Sequence, residues 1–102
     1  MIIVRFKVQV RPEQVDEVAA AMADVVGPSR ALAGVAHVDV GRDVTDPNAL
    51  IATEVFEDQA GMERQDALPE VAKVLGLLQG GALAGAPEYT TYDIASAESP
   101  AL

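Results

Sequence analysis

Residues 35–56 read Val35-Ala-His-Val-Asp-Val-Gly-Arg-Asp-Val-Thr-Asp-Pro-Asn-Ala-Leu-Ile-Ala-Thr-Glu-Val-Phe56, two stretches of alternating polarity around a cluster of turn formers. In the first, Val35 to Arg42, the residues Ala36, Val38 and Val40 fall on one side and His37 and Asp39 on the other, the two-residue period of a half-buried strand. In the second, Leu50, Ala52 and Phe56 share a side. Asp43-Val-Thr-Asp-Pro-Asn48 between them predicts a turn, so the two strands form an antiparallel hairpin. An isolated hairpin is marginal in water, so the flanking segments must supply the rest of the sheet and a layer to cover it.

Upstream, Ile3 to Val10 alternates in the same way, with Val4, Phe6, Val8 and Val10 on one face and Arg5, Lys7 and Gln9 on the other. Pro12 suits a first helical position. Val15, Val18, Ala19, Met22, Val25 and Val26 follow at helical spacing, with Glu13, Asp16 and Glu17 near the positive end of the helix dipole. Gly27-Pro28 is expected to disturb this helix, Ser29 to Ala33 to add a further turn, and Gly34 to stop it. Downstream, Asp58 is a natural N-cap for a second helix, kinked or broken at Leu68-Pro69 because the residue before proline is driven out of the helical region. Val71, Val74, Leu75 and Leu78 continue the apolar stripe to Gly80-Gly81, and Glu88 to Ile94 reads as a fourth strand. Residues 1–94 form one domain on this reading, and residues 95–102 a flexible C-terminal tail.

The order β-α-β-β-α-β predicts an α+β, ferredoxin-like plait: an antiparallel sheet with both helices on one face. The helices cover Val4, Phe6, Val8, Ala36, Val38, Val40, Leu50, Ala52 and Phe56. The other face carries Ile3, Arg5, Lys7, Val35, His37, Asp39, Ile51, Thr53 and Val55, too apolar for water and too polar for a core. A second copy of the same sheet is expected to bury it, giving a homodimer in which Arg5 and Lys7 meet Asp39 across the joint.

Composition narrows the function classes. Sixteen acidic against seven basic residues give a formal charge of −9, which repels nucleic acid and anionic lipid, so neither is an expected partner. Phe6, Phe56, Tyr89 and Tyr92 are the only aromatic residues, so a face of many stacked rings is excluded. The absence of cysteine removes disulfides, thiolate nucleophiles and sulfur metal sites, and suits a reducing, cytoplasmic setting. The opening residues read as a strand rather than a signal peptide, because Arg5, Lys7 and Gln9 interrupt the apolar run. Gly80-Gly81 and Gly85 follow a helix instead of joining a strand to one, so no nucleotide cofactor is expected. Asp43, Asp46 and Asn48 lack the glycine and bidentate glutamate of a calcium loop, and no metal is expected.

Five pieces in order carry a family resemblance. They are the first strand closing with Val10-Arg-Pro-Glu13, Gly27-Pro-Ser-Arg30 before Gly34, Arg42-Asp43 followed by Asp46-Pro-Asn48, Glu54-Val-Phe-Glu57 running into Asp58, and Pro69 inside the second helical region. Over roughly residues 2–94 the chain resembles the antibiotic biosynthesis monooxygenases, a family of dimeric α/β barrels. The resemblance implies a homodimer with one pocket per subunit between sheet and helices. It implies, for many members, oxygenation of an aromatic polyketide or quinol without metal or flavin. Other members degrade haem or have no known activity. Glu54 matches the glutamate of the family's Glu-x-Trp motif, and Phe56 stands where tryptophan is usual. Gln65 and Glu70 stand where many members place histidines, and Val38 occupies a frequent tyrosine position.

Glu54 falls on the apolar, helix-facing side of its strand, where a carboxylate is costly unless paired or protonated. It is either a pocket acid or base with a raised pKa, or a carboxylate held by backbone amides or by Arg64. Gln65 can hold a substrate carbonyl or hydroxyl, or lie on an exposed turn. Glu54 and Gln65 are the expected catalytic pair, and Phe6, Val38, Ala52, Phe56, Met62 and Leu75 the expected lining for a small hydrophobic or aromatic molecule. Tyr89 and Tyr92 fall on opposite faces of their strand, so one at most enters a given cavity. His37, the sole histidine, lies on the face away from the helices. Two functions fit: a cofactor-independent monooxygenase, or a dimer that binds a hydrophobic metabolite without redox chemistry, as a plain binder or an isomerase or cyclase.

Overall fold

The computed structural model describes residues 1–101. Four strands, β1 (Ile2–Gln9), β2 (Val35–Asp43), β3 (Asp46–Phe56) and β4 (Glu88–Asp93), form one antiparallel sheet in the order β2-β3-β1-β4. The helices α1 (Val15–Arg30), α2 (Gln59–Asp66) and α3 (Pro69–Leu77) lie on one of its faces. This is the ferredoxin-like α+β arrangement that the hairpin and its flanks predict. The sheet is open: β2 and β4 are its edges, and a barrel would require a second copy.

The core is aliphatic, as four aromatic residues require. Val8, Val10, Val18, Met22, Leu50, Val74 and Leu78 cluster where α1 and α3 cross the sheet. Each such side chain removed from water contributes about 1.5–3 kcal/mol before ordering costs are subtracted. Register then places two rows of side chains under the helices. Val40, Ala52, Phe6 and Tyr89 lie side by side across all four strands, and Val38, Glu54, Val4 and Thr91 form the next row.

The structure departs from the expected pattern in four places. The helix α1 is not broken at Gly27-Pro28 but runs to Arg30 with Pro28 inside its last turn. Proline removes one hydrogen bond there, to the carbonyl of the exposed Asp24, while the turn is held from outside: Arg30 donates to the Val38 carbonyl at 3.0 Å and to Asp39 at 3.3 Å. The hairpin turn is shorter than six residues, because Asp43 already pairs with Asp46 and only Val44 and Thr45 lie between them. Asp43 accepts from the Thr45 amide and hydroxyl, at 2.8 and 2.7 Å, and closes that turn. A bulge between Val35 and His37 pairs Val35 with Phe56, so Val35 belongs to the helix-facing side and not to the outer face. Finally, Arg5 and Lys7 have partners within the chain, Glu88 at 3.4 Å and Asp43 at 2.9 Å, while Asp39 takes Arg30. Hydrogen bonds from Thr45, and then from Lys7, hold the Asp43 carboxyl well below the usual carboxylate range.

The second helical region divides as Leu68-Pro69 requires. Leu68 is extended (φ −65°, ψ 137°), so α2 ends and α3 begins in a new direction. At the other end of α2, the Asp58 carboxylate accepts from the Gly61 amide at 2.8 Å. Asp58→Ala removes this cap and is expected to cost about 1 kcal/mol, read as a lower urea midpoint with an unchanged slope. The Gly81 φ of +104° ends the turn that follows α3 and allows the chain to swing back to the sheet edge. The Ile94 amide then bonds to the Met1 carbonyl at 2.9 Å, and residues 95–101 hold no helix or strand. Leu102, the last residue assigned to the tail, lies outside the described residues. Among the described residues no helix is long and apolar enough to cross a membrane.

Candidate functional site

The two side-chain rows floor a cavity of about 410 Å³, within the size range of small-molecule sites. Phe6, Val38, Val40, Ala52 and Glu54 rise from the sheet, Met22 and Val25 from α1, and Val71, Val74 and Leu75 from α3. The break before Pro69 brings the end of α2 to the same space and adds Gln65 and Asp66. Exposed Asp66, Leu75 and Tyr89 stand at the rim. Tyr89 packs edge-on against Phe6, with ring centroids 6.0 Å apart, which fixes the ring beside the cavity.

Polar groups gather at one end. Burial pushes the Glu54 carboxyl above its ordinary value; Gln65 beside it acts in the opposite sense, and the charge of Asp66 adds to the rise. Burial and Glu63 likewise raise Asp66, and burial with the charges of Asp66 and Glu54 raises the Tyr89 hydroxyl. Gln65 is 2% exposed, and its buried Nε2 is turned to the Glu54 carboxyl, short of an ordinary hydrogen bond. Arg64, the cation considered for Glu54, instead donates to the Ala33 carbonyl at 2.8 Å. Among the described residues Glu54 forms no ion pair.

The structure brings together Glu54, Gln65, Phe6, Val38, Ala52 and Leu75 around one cavity. It does not place Phe56 or Met62 there. Phe56 is fully buried at the end of β3, beside the entry to α2, and Met62 faces a separate hollow of about 180 Å³ with Ile2, Gln59 and Tyr92. Gln65 is not on an exposed turn. Glu70 is outside the cavity wall, half-buried, with Oε2 unpartnered. His37 is exposed on the outer face. Asp66, Met22 and Val25 were not singled out from sequence. Of these, Met22 and Val25 carry a signal, the apolar stripe of α1, whereas Asp66 becomes visible only once α2 is known to end there. No three acidic or histidine side chains of the described residues are grouped to hold a metal ion.

A family model described as antibiotic biosynthesis monooxygenase matches residues 1–75. No curated protein matches the chain. Among solved structures, a Deinococcus radiodurans protein provisionally named an antibiotic biosynthesis monooxygenase is similar at 20% identity, over 99% of each chain, with a TM-score of 0.83. A Mycobacterium tuberculosis protein is similar at 16% identity over 96% of this chain and 98% of its own, with a TM-score of 0.84. A third, from Bacteroides thetaiotaomicron and described as of unknown function with oxidoreductase suggested, gives 15% identity, 91% and 96% coverage and a TM-score of 0.78. At these identities the likeness establishes the fold.

Proposed function

The chain belongs to the antibiotic biosynthesis monooxygenase family, and on that premise we propose that its cavity binds a small aromatic, quinol-like or polyketide-type molecule and oxygenates it without metal or flavin. The observation that carries this reading is a carboxyl, Glu54, free of any cation among the described residues and set in the wall of a mostly apolar cavity of about 410 Å³. A carboxylate there is a stronger base than one in water, because burial disfavours its charge.

In this reading ionised Glu54 takes a proton from a substrate carbon activated by a neighbouring aromatic ketone, or from a phenol. The resulting anion passes one electron to dioxygen, the radical pair joins in a C–O bond, and the peroxide loses water. For a ring methylene that becomes a ketone, both C–H bonds break, one oxygen atom stays on carbon and the other leaves as water. Dioxygen is the whole oxidant, and no external reductant is consumed. Phe6, Val38, Ala52 and Leu75 hold the rings and exclude water, and Gln65 lies where it can meet the developing oxyanion.

A homodimer in the cytoplasm is part of the proposal. Ile3, Ile51 and Val55 remain only half-buried on the outer face of the sheet, beside the Lys7–Asp43 pair, and a second copy is the cover that such a face calls for. Sedimentation equilibrium is expected to return twice the chain mass at micromolar concentration.

The test is oxygen uptake with anthrone and with substituted hydroquinones. One dioxygen per ketone formed is expected, with label from ¹⁸O₂ in the product and no loss of rate in a metal chelator. Uptake no faster than the spontaneous reaction across the panel removes the oxygenase reading. The cavity wall holds no histidine, which favours a second reading, a dimer that binds a hydrophobic metabolite without oxidising it. Thermal stabilisation by a compound recovered unchanged would support that one.

A further inference from the structure

Only two residues of α2 are buried, Gly61 and Gln65, and they stand one helical turn apart on the same face. That face is pinned to the loop that enters β2. Gly61 has no room for a side chain against the Gly34 backbone, and one residue before Gln65 the Arg64 guanidinium donates to the Ala33 carbonyl at 2.8 Å. The Leu68 amide then donates to the Gln65 carbonyl at 3.0 Å, so the break before Pro69 closes on Gln65 itself. With its backbone held from both sides, Gln65 enters the same cavity wall as Glu54. Burying a primary amide is costly unless a polar group beside it takes the N–H, and the Glu54 carboxyl is that group.

The geometry points to Gln65 as a positioning residue: the seat of α2 on Ala33 and Gly34 holds its amide against the Glu54 carboxyl, and so fixes how that carboxyl faces the cavity. This rests on the reading of Glu54 as the base, and it gives the contact between two distant glycines a part in the chemistry. A donor beside a carboxylate favours the charged form, the sense in which Gln65 opposes the burial of Glu54. The other ionisable groups of the wall are Asp66 on α2 and Tyr89 on β4, both acids, and α1 and α3 bring only apolar side chains to it. On the sheet the neighbours of Glu54 are Val38 and Val4. No cation of the wall shares the task with Gln65. One N–H of the amide is enough for it, and the second remains for a substrate oxygen.

The experiment follows the Glu54 carboxyl of the full chain by carbon NMR through a pH titration, its signal assigned by its loss in Glu54→Gln. The pH profile of oxygen uptake is recorded beside it. Gln65→Met keeps the length of the side chain and removes the donor. It is expected to move the Glu54 titration to higher pH and to lower kcat about tenfold at neutral pH, with KM little changed. Gly61→Ala alters no polar group, yet by lifting α2 it should move the titration in the same direction. Gly76→Ala, in the neighbouring helix with open space around it, should leave the titration in place. Circular dichroism certifies the fold of each variant. A Glu54 that titrates in Gln65→Met where it does in the parent overturns the proposal, and a shift in Gln65→Met that is absent from folded Gly61→Ala overturns the part played by the seat. The titration needs no turnover, so a lack of oxygen uptake removes the oxygenase reading while a shifted titration still upholds the pairing.

Discussion

Gly61→Ala is expected to lower the unfolding free energy by about 3 kcal/mol, the upper end of what overpacking costs. A Cβ built on Gly61 would lie 2.3 Å from the Gly34 carbonyl oxygen and 2.6 Å from its carbon. Both are backbone atoms, and neither can swing aside as a side chain would. Gly34 has little freedom to retreat. Its φ is +83°, its carbonyl accepts from the Glu57 amide at 2.9 Å, and a Cβ of its own would meet the Gly61 Cα at 2.9 Å. The two glycines therefore let α2 touch the loop that enters β2. For a domain of this size the loss corresponds to a fall in Tm of about 12–24 °C, measured by circular dichroism or calorimetry. Gly76→Ala is the control: nothing lies within 4 Å of its added Cβ, it sits in α3, and alanine there should raise stability by about 0.5–1 kcal/mol. A Gly61→Ala protein that melts within a few degrees of the parent would show that α2 can rise from the loop at little cost. Because α2 carries Gln65 and Asp66 to the cavity, the same variant should weaken ligand binding beyond its effect on stability.

Why the sheet is legible in the sequence and parts of the site are not follows from the reach of each signal. Alternation has a period of two and no ambiguity of phase, so the faces of β1 and most of β3 can be read directly, and with them the inward direction of Glu54. A bulge leaves no mark on composition, which is why Val35 is assigned to the wrong face. Pro28 reads as a helix breaker because the bonds from Arg30 that hold the last turn come from β2, far from it in the local pattern. Phe56 shares a side with Glu54, yet alternation gives a face and not a position along the strand. Two residues later the chain caps α2, and the ring is sealed there instead of lining the cavity. Gln65 illustrates the opposite difficulty. The helix α2 is polar nearly throughout, with only Gly61 and Gln65 buried, so it offers no apolar stripe from which to phase the one glutamine that faces inward. Pairing with Phe6, not any property of its own strand, decides which tyrosine reaches the rim.

Glu54→Gln is expected to reduce the oxygenation rate by about 10²-fold or more, the usual worth of a positioned general base, while binding of a neutral ligand changes little. The substitution keeps the shape of the side chain and removes only its capacity to ionise, so any loss is one of proton transfer and not of packing. The pH profile gives a second readout. Burial raises the Glu54 pKa above the ordinary 4.5, so the base form, and with it the rate, should grow only as pH rises through that higher value. In the variant this limb of the profile should vanish. Stability runs the other way. Since the folded pKa exceeds the unfolded one, the folded state holds the proton more tightly: the stability that Glu54 contributes is complete below the unfolded pKa and is lost as pH rises through the folded pKa. Glu54→Gln should therefore be more stable than the parent at neutral pH and lack that decline. A variant that is less active and less stable together would identify Glu54 as a structural carboxylate. The paired outcome, slower turnover with a higher melting temperature, is the signature of a group held at a cost to the fold for the sake of its chemistry.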